Sequence, residues 1–138
     1  VEGPDSILRT TQRIGKVAPL HCTGVGKLLL LNYSLEKLDK LITDKGLPAF
    51  TDKTITTKEA LLSELEKIRL QDYALDNEEC EIGARCIAAP IKDYTEKTIA
   101  CISVSGPVSR LTQEKMEESK VIIKQIAKRL SQKLGYPE

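Results

Sequence analysis

Two segments in the middle of the chain, ARCIAAPIK at Ala84–Lys92 and KTIACISVS at Lys97–Ser105, constrain its fold more than any other feature. Both are rich in strand formers, and the intervening DYTE has a length suited to a hairpin loop. A regular antiparallel hairpin on that loop sets Lys92 opposite Lys97, Ala88 opposite Cys101 and Cys86 opposite Ser103. Side chains alternate across a strand, so the pairing sorts them onto two faces. One face holds Ile87, Ala89, Ile91, Ala100, Ile102 and Val104, with Arg85 and Thr98, an ordinary surface for packing helices. The other holds Ala84, Cys86, Ala88, Pro90, Ile99, Cys101, Ser103 and Ser105. Pro90 predicts an edge position or a bulge for the first strand.

The second face is small and mildly polar. An exposed face would carry Lys, Glu and Thr instead. Small side chains leave space above a sheet, and the two serines can donate hydrogen bonds into it, so the face reads as the floor of a pocket for a small polar molecule. A buried face of small residues under a helix fits the same pattern.

The four cysteines lack the spacing of a zinc site. Cys80 and Cys86 lie six positions apart, His21 and Cys22 are adjacent, and there is no second histidine. A catalytic thiol would have His21 as its only imidazole. A Cys86–Cys101 bridge would strain the strand pairing, and four cysteines in 138 residues are too sparse for a disulfide scaffold. Reduced thiols in a cytoplasmic protein are the expectation.

Helical periodicity flanks the hairpin. Thr23 can cap a helix over Gly24–Tyr33, and Ser34 can cap a second that ends at Gly46. Thr56, with Glu59 three residues on, opens a third as a capping box. A fourth starts after Thr112 and runs to about Leu134. A strand is predicted over Ile7–Ile14, and a loop over Leu47–Ile55. The length suits one domain. A formal net charge of +1 gives no electrostatic footprint for nucleic acid, and no apolar run approaches a membrane span. The chain opens on VEGPDSILRT, without Met, which reads as the interior of a longer protein.

Three stretches carry a resemblance. PLHCTGVGK at Pro19–Lys27, YALDNEECEIGARCIAAPI at Tyr73–Ile91 and IACISVSGP at Ile99–Pro107 resemble the effector-binding domain of IclR-type bacterial transcription regulators, in order and over nearly the whole chain. The resemblance implies an α/β (α+β) GAF-like domain, a curved antiparallel sheet with packed helices, over residues 1–138. It also implies an N-terminal winged helix-turn-helix domain absent from this chain, DNA contact only through that domain, and a homodimer or tetramer. No cofactor and no membrane contact is expected. The implied effector is a small organic acid or aromatic metabolite, and the positions matching the family's pocket are Gly24, Val25, Asp76, Cys86, Ser103 and Ser105.

The residues supply a physical logic for these positions. A helix starting at Thr23–Gly26 offers backbone N–H groups to a carboxylate, and two glycines permit close approach. Asp76 could accept from an effector hydroxyl or cap its own loop. Glu78 and Glu79 read as structural, pairing with Arg85 or with backbone, and Lys27 as a solvated helix residue. Two departures concern the backbone: DYTEK lacks the glycine frequent in that hairpin loop, and Asp72 stands where relatives often have Gly. Val25 replaces a common alanine and narrows the pocket. A thiol-dependent cytoplasmic enzyme and a metal-binding or oligomerising domain are the competing functional classes.

Overall fold

The computed structural model describes residues 19–137, so the strand expected over Ile7–Ile14 lies outside the described residues. Four helices and three strands follow one another as α1 (Gly24–Leu30), α2 (Leu35–Lys45), α3 (Lys58–Gln71), β1 (Ala74–Asn77), β2 (Ala84–Lys92), β3 (Thr98–Pro107) and α4 (Gln113–Lys133). Caps fix the helix starts. The hydroxyls of Thr23, Ser34, Thr57 and Thr112 each accept the backbone N–H three residues on. The third helix thus starts one residue later than the Thr56–Glu59 capping box would place it, because Thr57 supplies the cap and Ala60 occupies the reciprocal position. α1 is shorter than expected, ending at Leu30 in a turn through Asn32 and Tyr33.

The strands form an antiparallel sheet in the order β1-β2-β3. β1 was hidden in the sequence because ALDN has only four residues and a weak apolar content. The hairpin register differs from simple counting by two up to Ile91 and by one at Lys92. Cys86 faces Ser105, Ala88 faces Ser103, Pro90 faces Cys101, and Lys92 faces Thr98. Lys97 joins the loop, where the Asp93 carboxylate accepts from Thr95, and a bulge at Ile91/Lys92 adds one more residue. A slip of two keeps the side chains of Ala100–Ser105 on their expected faces, whereas past the bulge Thr98 pairs with Lys92 rather than joining the face of Ile87 and Ile91. β2 is the middle strand rather than an edge. However, β1 reaches only as far as Ala88, so Pro90 lies past its end and beside the bulge, where a missing N–H costs least.

Each face of the sheet has its own core. Ile87, Ala89 and Ile91, with Ile102 and Val104, pack against Leu111 and the inner side of α4 at Met116, Ile123 and Ala127. On the opposite face Ala74 and Ala88 lie beneath Leu28 and Leu30 of α1, joined by Leu38 of α2 and Leu61, Leu65 and Ile68 of α3.

Asp72 ends α3 in the left-handed region, at φ 62°, and Glu96 turns the hairpin at φ 67°. These are the two places where glycine was missed in the sequence, and the backbone shows why glycine suits them. Asp72→Gly is expected to raise stability by about 0.5–1 kcal/mol, the exposed Lys92–Asp72 contact being a minor loss. Asp72→Val, β-branched, should lower it by about 1–2 kcal/mol. Urea unfolding of the two variants checks both signs.

Candidate functional site

The small face of the sheet is arranged in cross-strand rows. Asp76, Cys86 and Ser105 form one row, and Ala74, Ala88 and Ser103 the next. Paired residues point to the same side, so the expected residues of β2 and β3 share a face with Asp76. The face is divided by its cover. α1 lies over its β1 side, where Ala74 and Ala88 are fully buried, while Ser103 and Ser105 are exposed. Both readings of the small face therefore hold in part: the alanines let a helix approach, and the serines lie beyond its edge.

Gly24 makes that approach possible. A Cβ there would lie 3.3 Å from the Ala88 Cβ and 3.4 Å from the Cys86 Sγ. The Gly24 N–H donates to the Cys86 sulfur. The Gly26 N–H goes to Thr23 Oγ1 and the Lys27 N–H to Thr23 O, which leaves the Val25 N–H without a partner among the described residues. Gly26 is needed for a different reason. A Cβ there would lie 2.6 Å from the Leu20 backbone, so this glycine only permits the turn. Val25 itself lies partly exposed on the outer side of α1. The structure thus brings Gly24, Asp76 and Cys86 together, sets Ser105 and Ser103 beside them on the sheet, and leaves Val25 at the rim.

Lys27 corrects an expectation. It is not solvated but fully buried. Its Nζ donates to Leu75 O at 2.8 Å, lies 2.6 Å from Glu79 Oε1, and reaches Glu64 Oε2 at 3.3 Å. The contact with Glu79 is ionic, since Oε1 is not in line for a hydrogen bond. Only the polar character of a lysine is visible in sequence; its burial follows from the turn that aims it inward. Glu78 is structural, as expected, but its partners are Lys53 and the Gly83 N–H. Arg85 bonds instead to Asn77 and to Leu111 O.

Asp76 caps its own turn and faces Cys86 across the sheet. Its Oδ1 accepts the Glu79 N–H at 2.9 Å. Burial pushes its carboxyl above the usual carboxylate range, against the pull of the Glu79 and Cys80 N–H groups and Lys27. Glu79 is also raised, by burial first, with Lys27 opposing. Burial pushes the Cys86 thiol up to about 12 and Cys101 to about 11, and raises Cys22, which bonds to the Cys80 thiol, further still. Such thiols are poor nucleophiles near neutral pH. His21 lies buried, with Nε2 2.9 Å from Pro48 O. Among the described residues, no group of three or more His, Cys, Asp or Glu could hold a metal ion, and no helix is long and apolar enough to cross a membrane.

Among the described residues, a three-stranded antiparallel sheet with a helix packed on one face and a glycine turn laid over small residues on the other defines a GAF-like α/β domain. Residues 1–132 match the family model described as "Bacterial transcriptional regulator IclR C-terminal". The chain is therefore a C-terminal domain of the IclR family of transcription regulators. It is 38% identical to the HTH-type transcriptional repressor AllR of Salmonella typhi over 94% of this chain and 48% of that protein. It is 37% identical to the HTH-type transcriptional regulator KdgR of Escherichia coli over 94% of this chain and 49% of the relative. The chain thus spans about half the length of the curated relatives it matches. Among solved structures, the IclR of Thermotoga maritima superposes with a TM-score of 0.83 at 40% identity, covering 99% of this chain and 55% of that one. The inducer-binding domain of an Acinetobacter PobR double mutant, solved as a 3-hydroxybenzoic acid complex, gives 0.81 at 28% identity, covering 92% and 74%.

Two predictions follow from the buried charges. Lys27→Met leaves Glu79 buried without its cation and should cost about 3–5 kcal/mol, whereas Lys27→Met combined with Glu79→Leu should recover most of that loss. Equal unfolding midpoints for the single and double variants would show that the two charges are not coupled. For Asp76 and Glu79, a raised folded-state pKa means that the folded protein binds more protons than the unfolded one between the two values. Stability therefore falls as pH rises from the ordinary carboxylate range through the folded-state values. Asp76→Asn keeps the cap acceptor and removes one such group. Its melting temperature at pH 7 should exceed the parent's, with a flatter pH profile.

Proposed function

We propose that this domain senses a small metabolite, a carboxylate or aromatic acid, and that binding controls the oligomeric state and DNA binding of a longer regulator. The reading rests on one observation: the cross-sheet row Asp76–Cys86–Ser105, with Ser103 beside it, at the edge of a helix whose glycine allows it to touch the sheet. The Ser103 and Ser105 hydroxyls and the Val25 N–H supply donors for a carboxylate. The Asp76 carboxyl can accept from a ligand hydroxyl. Gly24 and Cys86 supply the close-fitting wall. Family membership supports the same reading, as does the 3-hydroxybenzoic acid complex of the PobR domain.

On this reading the domain is a cytoplasmic regulator rather than a catalyst. The protonated, buried thiols favour that over a thiol enzyme. The DNA contact belongs to a winged helix-turn-helix domain N-terminal to this chain. The effector acts only through its differential affinity for the arrangements the regulator can adopt.

A thermal-shift screen of small carboxylates and aromatic acids against this chain should yield at least one stabilising ligand without turnover. With that ligand, Ser103→Ala should lose about 1.5–3 kcal/mol of binding, the cost of removing a hydrogen bond to a charged group. Because Ser103 is exposed, folding should be unaffected. Undiminished affinity by calorimetry would remove Ser103 from the site.

A further inference from the structure

Two of the four cysteines touch each other outside the effector row. Cys22 lies immediately before Thr23, the cap of α1, and Cys80 lies in the turn that follows β1. Their thiols are hydrogen-bonded to one another. Cys22 is fully buried, whereas Cys80 is half-buried and meets solvent. The backbone is held on both sides. Thr23 Oγ1 donates to Pro19 O and accepts the Gly26 N–H, which fixes the residue after Cys22, and the Cys80 N–H donates to Asp76. Two sulfurs held in contact on fixed backbone can be bridged with little movement of the chain. The other two cannot: Cys101 faces Pro90, two rows along the sheet from Cys86.

The surroundings decide the product. Burial first, then Cys80, Asp76 and Glu79, disfavour the Cys22 thiolate. The reduced pair is therefore held as thiols and reacts slowly near neutral pH. A disulfide carries neither charge nor proton, so the same dry, acidic surroundings tolerate it. A small oxidant reaches the Cys80 sulfur from solvent, and the thiol lying against that sulfur is Cys22, itself sealed from solvent. Oxidation at Cys80 is thus directed inward.

We propose that Cys22 and Cys80 form a modification site, joined as a disulfide by hydrogen peroxide. The Cys80 sulfur, as its thiolate, attacks one peroxide oxygen. The O–O bond breaks, and the leaving hydroxide takes up the proton that Cys80 released, forming water. Cys80 is then a sulfenic acid. The Cys22 sulfur attacks the Cys80 sulfur, the S–O bond breaks, and the oxygen leaves with the Cys22 proton as a second water. Each sulfur gives up one electron, and the peroxide gains both. The bond closes a loop that contains α1, α2, α3 and β1. It fastens the start of α1 to the turn that carries Glu79, across the joint that the Lys27–Glu79 ion pair also holds. Oxidation adds a covalent tie to an ionic one, and the site stands whether or not the sensor reading does.

Treating the folded chain with hydrogen peroxide, alkylating the remaining thiols in urea and mapping the peptides by mass tests the proposal. The expected product is one bridge within the chain, between the Cys22 and Cys80 peptides, lighter by two hydrogens and reversed by dithiothreitol. Cys80→Ser, at the half-buried position, should fold, as a thermal melt would confirm, and should leave Cys22 fully alkylated after the same treatment. The oxidised parent should melt about 5–15 °C above the reduced one. Oxidation should also return part of the melting temperature lost in Lys27→Met, and return none when Cys80→Ser is added to it. Four unmodified thiols would overturn the proposal. So would Cys80 carried on to its sulfinic acid beside a free Cys22, a bridge joining two chains through Cys80, or a bridge that forms only in urea or lowers the melting temperature.

Discussion

The charge on Lys27 lies inside the protein, and four pieces of chain are arranged around it. α1 supplies the residue, α3 supplies Glu64, β1 supplies Leu75 O, and the turn after β1 supplies Glu79. Burying an ammonium is unfavourable unless its donors are met and an opposite charge lies close, so these pieces cannot separate without exposing an unpaired ion. The turn is tied further. Thr51 donates to Glu78 O, and Thr54 to Glu79 O at 2.5 Å, which brings the Pro-containing loop before α3 into the same knot. The position of α1 over the sheet follows from this network, as does the geometry of the row beneath it.

That arrangement constrains what the site can recognise. Lys27 is the nearest buried cation, but it donates to Leu75 O and Glu64 and is ion-paired with Glu79, so it is taken up behind the proposed site. On the proposed reading, an effector carboxylate is met by neutral donors, two hydroxyls and a backbone N–H. Neutral donors bind an anion less tightly than a guanidinium but discriminate by position. Asp76 adds a constraint of its own. A negative charge there repels a carboxylate ligand, while the Glu79 N–H and nearby Lys27 offset part of that charge.

The sequence showed which residues share a face of the sheet, but not how the chain around them is held. The alternation in ARCIAAPIK and KTIACISVS sorted Cys86, Ser103 and Ser105 onto one face, and that sorting survived a two-residue error in register because side-chain direction depends only on parity. The error itself came from the bulge and from a five-residue turn bent at Glu96, neither of which has a local signature without glycine. Lys27 was illegible for a different reason. A lysine three residues after a helix start is almost always solvated, and only the glycine turn and the distant Glu79 together make burial tolerable. Asp76 was hardest to classify because it both caps the turn and faces Cys86, a double role visible only once β1 pairs with β2.

β2 stands between the two halves of the molecule. Its odd residues, Ile87, Ala89 and Ile91, contact α4, and its even residues, Cys86 and Ala88, lie under α1. One strand thickness therefore separates the proposed effector row from α4. Both cores are close-packed against that strand, and packed layers shift between discrete arrangements rather than deform smoothly. A ligand that alters how closely α1 presses on Ala88 would change the strain on β2, and through Ile87 and Ala89 the tilt of α4. Energetically this requires only that the ligand bind more tightly to one tilt than to another; a ligand indifferent to the two would occupy the site and transmit nothing.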